Sequence, residues 1–375
     1  MKKILIIDDS ALMRRVVSDI ICSDTRFTVA ATAMDGLDGL DKVTASPNEF
    51  DAIILDINMP KMNGLEFLEK IAQLKLRLKV VVVSTVAKEG AAETIKCLEL
   101  GAFDFVTKPD SFIEAKGDSF KKKILNTLSA ACKLSPPVFP DDKPQEEKKP
   151  EQKQEEYGNI IGNAMSIKGG RAIRRPHVQK DARSKKLVAI ASSTGGPKAL
   201  QQVIPYLPQN LNAPVVIVQH MPESFTASLA ERLNDLSRLN VYEAKDGMII
   251  DKGNVYIAKG GNQLRIQKVN SVYCISEKVE EARNGLKPCA DIMYESLLDS
   301  DYDEIVCVVL TGMGADGTLG INQLNNKKNI YVISQTENTC TVYGMPKAIA
   351  EVGLCDEVVP LDRVAETITK IVGVH

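Results

Sequence analysis

Ala52-Ile53-Ile54-Leu55-Asp56 is a short apolar run that stops on a carboxylate, and it has close parallels nearby. Ile4-Leu5-Ile6-Ile7 stops on Asp8-Asp9, and Val80-Val81-Val82-Val83 stops on Ser84. With Phe27–Ala31 and Phe103–Val106 they make five runs, separated by amphipathic stretches and followed by a helix predicted over about Phe120–Cys132. None of the three longest runs alternates polar with apolar residues, as a strand with one wet face would. Strands apolar on both faces, alternating with helices, predict a parallel sheet covered on both sides. The first part of the chain is therefore expected to be a (βα)5 unit.

In open parallel sheets, ligand sites lie at the carboxyl ends of the strands. Asp8-Asp9, Asp56 and Ser84 occupy three such ends, and Lys108 follows the fifth run in Val106-Thr107-Lys108-Pro109. Converging carboxylates repel one another unless a hard cation sits among them, and magnesium suits oxygen ligands of this kind. A carboxylate beside magnesium and an ammonium group is well placed to attack a phosphoryl donor.

The rest of the 375 residues leaves room for a second domain. An apolar fraction of 44% and a charged fraction of 26% are ordinary for a globular chain. With 47 basic and 49 acidic residues the net charge is −2, so no global field favours nucleic acid or an anionic membrane. The longest apolar stretch, Ile305 to Ala315, is too short to span a bilayer. The opening Met1–Ile7 resembles a leader only until Asp8-Asp9 interrupts it. Eight cysteines without a C-x-x-C pair read as small core residues in a reducing, cytoplasmic compartment. From Asp141 to Glu156 every residue is charged, Gln or Pro, a composition that cannot offset its ordering entropy. A polar stretch carrying Arg171, Arg174 and Arg175 continues to about Lys186. The expected domains are 1–133 and 187–375, joined by a flexible charged linker over 134–186.

The second part repeats the architecture without repeating the residues. Leu187–Ala191, Ala213–Gln219, Glu304–Leu310 and Ile330–Ser334 read as buried parallel strands. Tyr242–Ser276, with short runs such as Val255–Ala258, reads as a small antiparallel edge. Three strand ends carry chemistry. The first leads into Ser192-Ser193-Thr194-Gly195-Gly196-Pro197, a strand-to-helix turn that suits a helix cap, an anion cradle or a nucleophile. The second ends on His220, the one histidine of three outside the linker and the terminus, and hence the candidate base near neutral pH. The third leads into Thr311-Gly312-Met313-Gly314-Ala315-Asp316-Gly317, whose carboxylate can cap a helix or orient an imidazole. Together they favour a Ser–His–Asp hydrolase in the order Ser193, His220, Asp316, unlike the familiar serine-hydrolase orders.

Two resemblances carry these readings further. I-D-D-S, D-A-I-I-L-D-I-N-M-P-K-M-N-G, V-V-S-T and F-D-F-V-T-K-P resemble a two-component receiver domain. The resemblance implies Asp56 as phosphoacceptor, with magnesium held by Asp8, Asp9, Asp56 and the backbone carbonyl of Asn58. It also implies Ser84 and Phe105 as a switch pair and Lys108 as the phosphoryl contact. S-S-T-G-G-P, Q-H-M-P-E-S-F-T and L-T-G-M-G-A-D-G resemble the protein-glutamate methylesterases of bacterial chemotaxis, the CheB family. That likeness implies Ser193 as nucleophile, His220 as general base and then acid, and Asp316 as its orienting partner. The Met313 N–H would join the oxyanion hole and Thr194 would line the site. Ser192 stands where the family more often has alanine, and Ser193 keeps the spacing to Thr-Gly-Gly.

The resemblance implies a phosphorylation-activated enzyme that hydrolyses γ-glutamyl methyl esters on chemoreceptor cytoplasmic domains and deamidates certain receptor glutamines. Its phosphodonor would be the chemotaxis histidine kinase. Magnesium would serve the receiver alone, and the esterase half would need no cofactor. No nucleic acid and no membrane insertion are expected. The other readings are a receiver-regulated esterase outside chemotaxis and a catalytically silent, phospho-switched binding protein. A flexible tether cannot transmit rigid strain, so control is expected to work by the receiver masking the esterase.

Overall fold

In the computed structural model, residues 1–85, 87–109, 111–115, 117–137 and 184–374 are described. They fall into two compact units, Met1–Glu147 and Lys148–His375. Most of the expected 134–186 linker, with His177 and the arginine patch, lies outside the described residues, as does His375. Among those described, no helix is long and apolar enough to cross a membrane.

The first unit runs β1 (Lys2–Ile7), α1 (Ala11–Cys22), β2 (Phe27–Ala33), α2 (Gly36–Ala45), β3 (Ala52–Asp56), α3 (Gly64–Gln73) and β4 (Val80–Ser84). It continues through α4 (Lys88–Glu99), β5 (Asp104–Thr107), the short α5 (Phe112–Ala115) and α6 (Asp118–Ala131). The five strands pair in the order β2-β1-β3-β4-β5, all parallel. Ile4–Ile7, Ile53–Leu55 and Val80–Val83 are all buried. Each such side chain contributes about 1.5–3 kcal/mol on leaving water. The helices begin where side chains can meet their free N–H groups. Ser10 caps α1 by accepting from Met13 N, and Asn63 with Glu66 forms a reciprocal capping box on α3. The order reverses between β1 and β3, so Asp8-Asp9 and Asp56 flank the crevice where such sheets bind ligands.

The second unit starts in the middle of its own sheet. After β6 (Lys186–Ser192) come α7 (Gly196–Gln201), β7 (Val215–Gln219), α8 (Glu223–Leu236), β8 (Asn240–Glu243) and β9 (Asn254–Ile257). A hairpin, β10 (Gln263–Val269) and β11 (Val272–Lys278), and the short α9 (Ala290–Glu295) lead to β12 (Glu304–Val309). The chain closes with α10 (Thr318–Lys327), β13 (Ile330–Gln335), α11 (Met345–Glu351), β14 (Glu357–Val359) and α12 (Leu361–Val372). Seven strands pair in parallel in the order β14-β13-β12-β6-β7-β9-β8. The chain leaves β6 on one side and returns beside it as β12, a second switch point.

The antiparallel element is the separate β10–β11 sheet, with Ile249 bridging to Cys274 on β11. Val255–Ala258 was expected within that edge, but β9 pairs in parallel with both β7 and β8. A run this short does not encode its own direction; the route of the chain back to the sheet decides it.

At the amino end of β6, away from the strand ends that carry the chemistry, Lys186 is almost fully buried. Its Nζ lies 2.9 Å from Glu304 Oε2 on β12 and donates to Ile371 O in the last turn of α12 at 2.8 Å. One ammonium therefore ties two strands to the closing helix, at the helix end whose dipole favours a cation. Lys186→Met keeps the apolar stem but leaves Glu304 without its cation. The expected cost is about 3 kcal/mol, read as a lower urea midpoint at unchanged slope. An unchanged midpoint would show that the pair is silent.

Candidate active sites

Adjacent strands β12, β6 and β7 end side by side, and the turn after each supplies one reactive group. After β6 the backbone folds tightly: Ser193 N–H donates to Thr311 O (3.0 Å) and Ser193 O accepts from Gly196 N (2.7 Å). Gly195 has φ +77°, and a Cβ there would lie 2.3 Å from Thr341 Oγ1. Gly312 leaves room for the serine itself, since a Cβ at 312 would meet Ser193 Cβ at 2.8 Å. Ser193 is half-buried and Ser192 fully buried, with its hydroxyl donating to Gln219 Oε1 at 2.7 Å. The two adjacent hydroxyls are thus distinguished by environment: one is committed to an internal partner and the other is accessible.

His220 closes the turn after β7, its N–H donating to Ser192 O at 3.1 Å. Its imidazole Nε2 lies 2.8 Å from Asp316 Oδ2. An ionised carboxylate only accepts, so Nε2 carries the hydrogen and Nδ1 keeps the lone pair. Nδ1 is therefore the basic atom of this site.

Asp316, almost fully buried, is not the N-cap residue of the helix that follows it, which is Gly317 for α10; its carboxylate meets the start of α9 instead. Both of its oxygens collect donors. Oδ1 accepts from Asp291 N (3.0 Å), Gly317 N (3.0 Å) and Cys289 Sγ (3.1 Å). Oδ2 accepts from Ala290 N (2.6 Å) and His220. Burial by itself would raise its pKa, but the His220 bond and the backbone donors outweigh that and hold it at about 2. Burial pushes the adjacent Cys289 thiol upward, so it stays protonated and can only donate to Asp316. The donors at 289–291 were not anticipated. Pro288 before a short helix signals a helix start, but nothing in the sequence says which distant carboxylate that start will face.

Met313 is half-buried in the loop after β12. That loop is pinned at the residue before it: Gly312 N donates to Val342 O at 3.0 Å, and Gly312 O accepts from Gly344 N and Met345 N at 2.9 Å each. Thr194, also half-buried, has its carbonyl tied to Thr311 Oγ1 at 3.0 Å.

The first unit gathers the other group of expected residues. One carboxylate oxygen from each of Asp8, Asp9 and Asp56 lies within 4.8 Å of the other two, with Asp8 and Asp56 buried and Asp9 exposed. Lys108 Nζ lies 2.7 Å from Asp56 Oδ2 and 3.1 Å from Asp8 Oδ2. Burial raises the Asp56 pKa despite the opposing Lys108 charge, with Asp8 pushing the same way as burial. Crowded hard oxygen donors that one lysine does not fully neutralise fit a magnesium ion. Asn58 is exposed in the loop after β3. Ser84 Oγ donates to Gly90 O at 3.2 Å rather than to Asp56, and Phe105 is half-buried on β5.

Comparisons with known proteins follow the same division. Residues 188–368 match the family model for the CheB methylesterase, and residues 4–115 match that for the response regulator receiver domain. A protein-glutamate methylesterase/protein-glutamine glutaminase of Bacillus subtilis (strain 168) is 39% identical over 378 residues, covering 99% of each chain. One of the same name from Pyrococcus abyssi (strain GE5 / Orsay) is 35% identical, covering 99% of this chain and 93% of that one. Among solved structures, the Thermotoga maritima CheB methylesterase catalytic domain is 40% identical, covering 50% of this chain and 100% of its own, with a TM-score of 0.49.

The ionisation of Asp316 should be visible in stability. Its folded pKa of about 2 lies below the ordinary 3.8, so its contribution is complete above about pH 4 and is lost as pH falls toward 2. The shift corresponds to roughly 2 kcal/mol. Asp316→Asn cannot titrate, so its stability deficit relative to the parent should shrink by about that amount between pH 5 and pH 2. Denaturant unfolding at several pH values reads this directly, and a deficit constant with pH would contradict it.

Proposed function

The chain belongs to the CheB methylesterase family, with a receiver domain ahead of the catalytic half, and from that premise we propose a phosphorylation-activated protein-glutamate methylesterase and protein-glutamine glutaminase. Its substrates are γ-glutamyl methyl esters, and certain glutamines, on chemoreceptor cytoplasmic domains. The catalytic domain is 187–375, the receiver 1–133, and 134–186 links them. The observation that carries the reading is the 2.8 Å His220–Asp316 bond on the strand end beside that of Ser193.

Ser193 Oγ attacks the ester carbonyl while His220 Nδ1 takes its proton. Asp316 stays ionised, holds the reactive tautomer and stabilises the imidazolium. The Met313 N–H meets the oxyanion of the tetrahedral intermediate, and Thr194 lines the site. The imidazolium returns its proton to the departing methoxide, which leaves as methanol. Water, deprotonated by the same Nδ1, then attacks the acyl carbon, and the imidazolium returns that proton to Ser193 Oγ as the γ-glutamate leaves. With a glutamine substrate the same steps expel ammonia. Every proton moves between the substrate, water and groups of this chain.

In the receiver, Asp56 accepts a phosphoryl group from the chemotaxis histidine kinase, and Lys108 balances charge on the transferred oxygens. Asp8, Asp9, Asp56 and the Asn58 carbonyl would hold magnesium, which supplies further charge stabilisation there. Ser84, now bonded to Gly90 O, would turn to the phosphoryl group as Phe105 moves inward. The protein acts in the cytoplasm, where receptor and kinase meet it.

Two sets of variants test this. Ser193→Ala and His220→Ala should each lower methanol release from methylated receptor membranes by several orders of magnitude, Asp316→Ala by less, and Ser192→Ala by far less still. A Ser192→Ala protein as dead as Ser193→Ala would reassign the nucleophile. Asp56→Asn should hydrolyse at the basal rate and ignore a small-molecule phosphodonor. A fragment starting near Lys186 should outpace the unphosphorylated whole; a fragment no faster would mean that the receiver activates rather than inhibits.

A further inference from the structure

The last register pair between β6 and β7 is Ser192 with Gln219, and the backbone cross-link ends at His220 N–H on Ser192 O. The nucleophile and the base both lie one residue past that point, where the paired strands have ended. A side chain takes over. Gln219 Nε2 donates to Ser193 O at 2.9 Å and to His220 O at 3.2 Å, so one amide group grips both backbones. Gln219 is 1% exposed and Ser192 0%.

An amide can be placed either way round, and only one way serves. If it were reversed, Oε1 would face two carbonyl oxygens, which repel it. The two carbonyls, which can only accept, therefore turn Nε2 toward them, and the Ser192 hydroxyl holds the other end of the amide by donating to Oε1 at 2.7 Å. Room for the amide comes from Gly196, where a Cβ would lie 1.9 Å from Gln219 Oε1.

We propose that Gln219 is a positioning residue for the esterase reaction, clamping the Ser193 and His220 backbones at a fixed separation, and that Ser192 holds the other end of the clamp. The inference rests on Ser193 and His220 being nucleophile and base. It also gives Ser192 a task that its position beside the nucleophile conceals: it is a hydrogen-bond donor to Gln219, not a spare nucleophile. Proton transfer from Ser193 to Nδ1 depends steeply on their separation, so loosening the clamp slows the chemical step while substrate affinity stays as it was.

The test uses the intact chain and a fluorophosphonate, which reports attack by Ser193 without any receptor. The rate constant for labelling, unlike the amount labelled, does not depend on how much of the protein is folded. Gln219→Met should lower that constant, and kcat for a small soluble ester, by about 10- to 100-fold, with KM within about twofold. Ser192→Ala should lower both rates by about fivefold, the scale of one internal hydrogen bond. In the Gln219→Met background the Ser192→Ala change should have no further effect, because its only route is through the amide. A Gln219→Met chain that labels at the parent rate, or two substitutions whose effects simply add, overturns the clamp. Should Gln219→Met fail to fold, Ser192→Ala carries the test alone, and an unchanged rate constant overturns the proposal. Labelling that survives Ser193→Ala would instead overturn the assignment of the nucleophile, and the clamp with it.

Discussion

Parallel pairing imposes one constraint on which both units depend: every strand must deliver its carboxyl end to the same edge of the sheet. Residues 193, 220 and 316 are far apart in sequence, yet they leave β6, β7 and β12, three neighbours in the pairing order. Asp8, Asp56 and Lys108 meet for the same reason, from β1, β3 and β5. In each unit the chain starts at an inner strand and reverses beside it, so the side chains at the switch point face a crevice rather than another connection. The apolar strand bodies supply stability, and their polar ends supply chemistry at fixed spacing.

Two buried aspartates show how the surroundings assign the work. Asp316 has five donors across its two oxygens, four of them at 289–291 and 317 beside His220, and it is held well below the usual carboxylate range. Such a group is a poor nucleophile and a dependable anion, which is what an orienting partner must be. Asp56 has one backbone donor, Ile57 N at 2.7 Å, and a single lysine, and burial drives it the other way. Its charge is incompletely satisfied, which suits a carboxylate that must attack. The difference lies in the number of donors aimed at each, because both side chains are similarly buried.

What the sequence made legible follows from the same physics. Uninterrupted Val/Ile/Leu runs announce strands buried on both faces, so both sheets, and the polar side chains gathered at their strand ends, could be read directly. Direction could not be read from Asn254–Ile257, since four residues fit a parallel or an antiparallel neighbour equally well. Nor could the donors at Cys289, Ala290 and Asp291, because a helix start does not name the carboxylate it will meet. Gln219 was visible only as the last letter of a strand. A glutamine there is unremarkable until the partner strand is known to place a carbonyl on either side of its amide.

That amide belongs to a wider pattern in the catalytic unit. Gln335, at the end of β13 and fully buried, accepts from Thr311 N and donates to Thr339 O, bracing the turn after β12. Gln263, also fully buried, accepts from Cys289 N and donates to Leu286 O, bracing the segment that supplies donors to Asp316. In each case one neutral side chain, donor at one end and acceptor at the other, satisfies backbone groups that lie beyond the reach of the strand ladder. An unpaired backbone group there would cost about 1–3 kcal/mol, and a charged brace would perturb the imidazole and carboxylate it sits beside. Glutamine meets both conditions, with a reach long enough to cross between adjacent strand ends. The turns that carry Ser193 and His220, and the turn after β12, are therefore held through side chains where the backbone pairing of the seven-stranded sheet has run out. The segment that faces Asp316 is held in the same way from the first residue of β10.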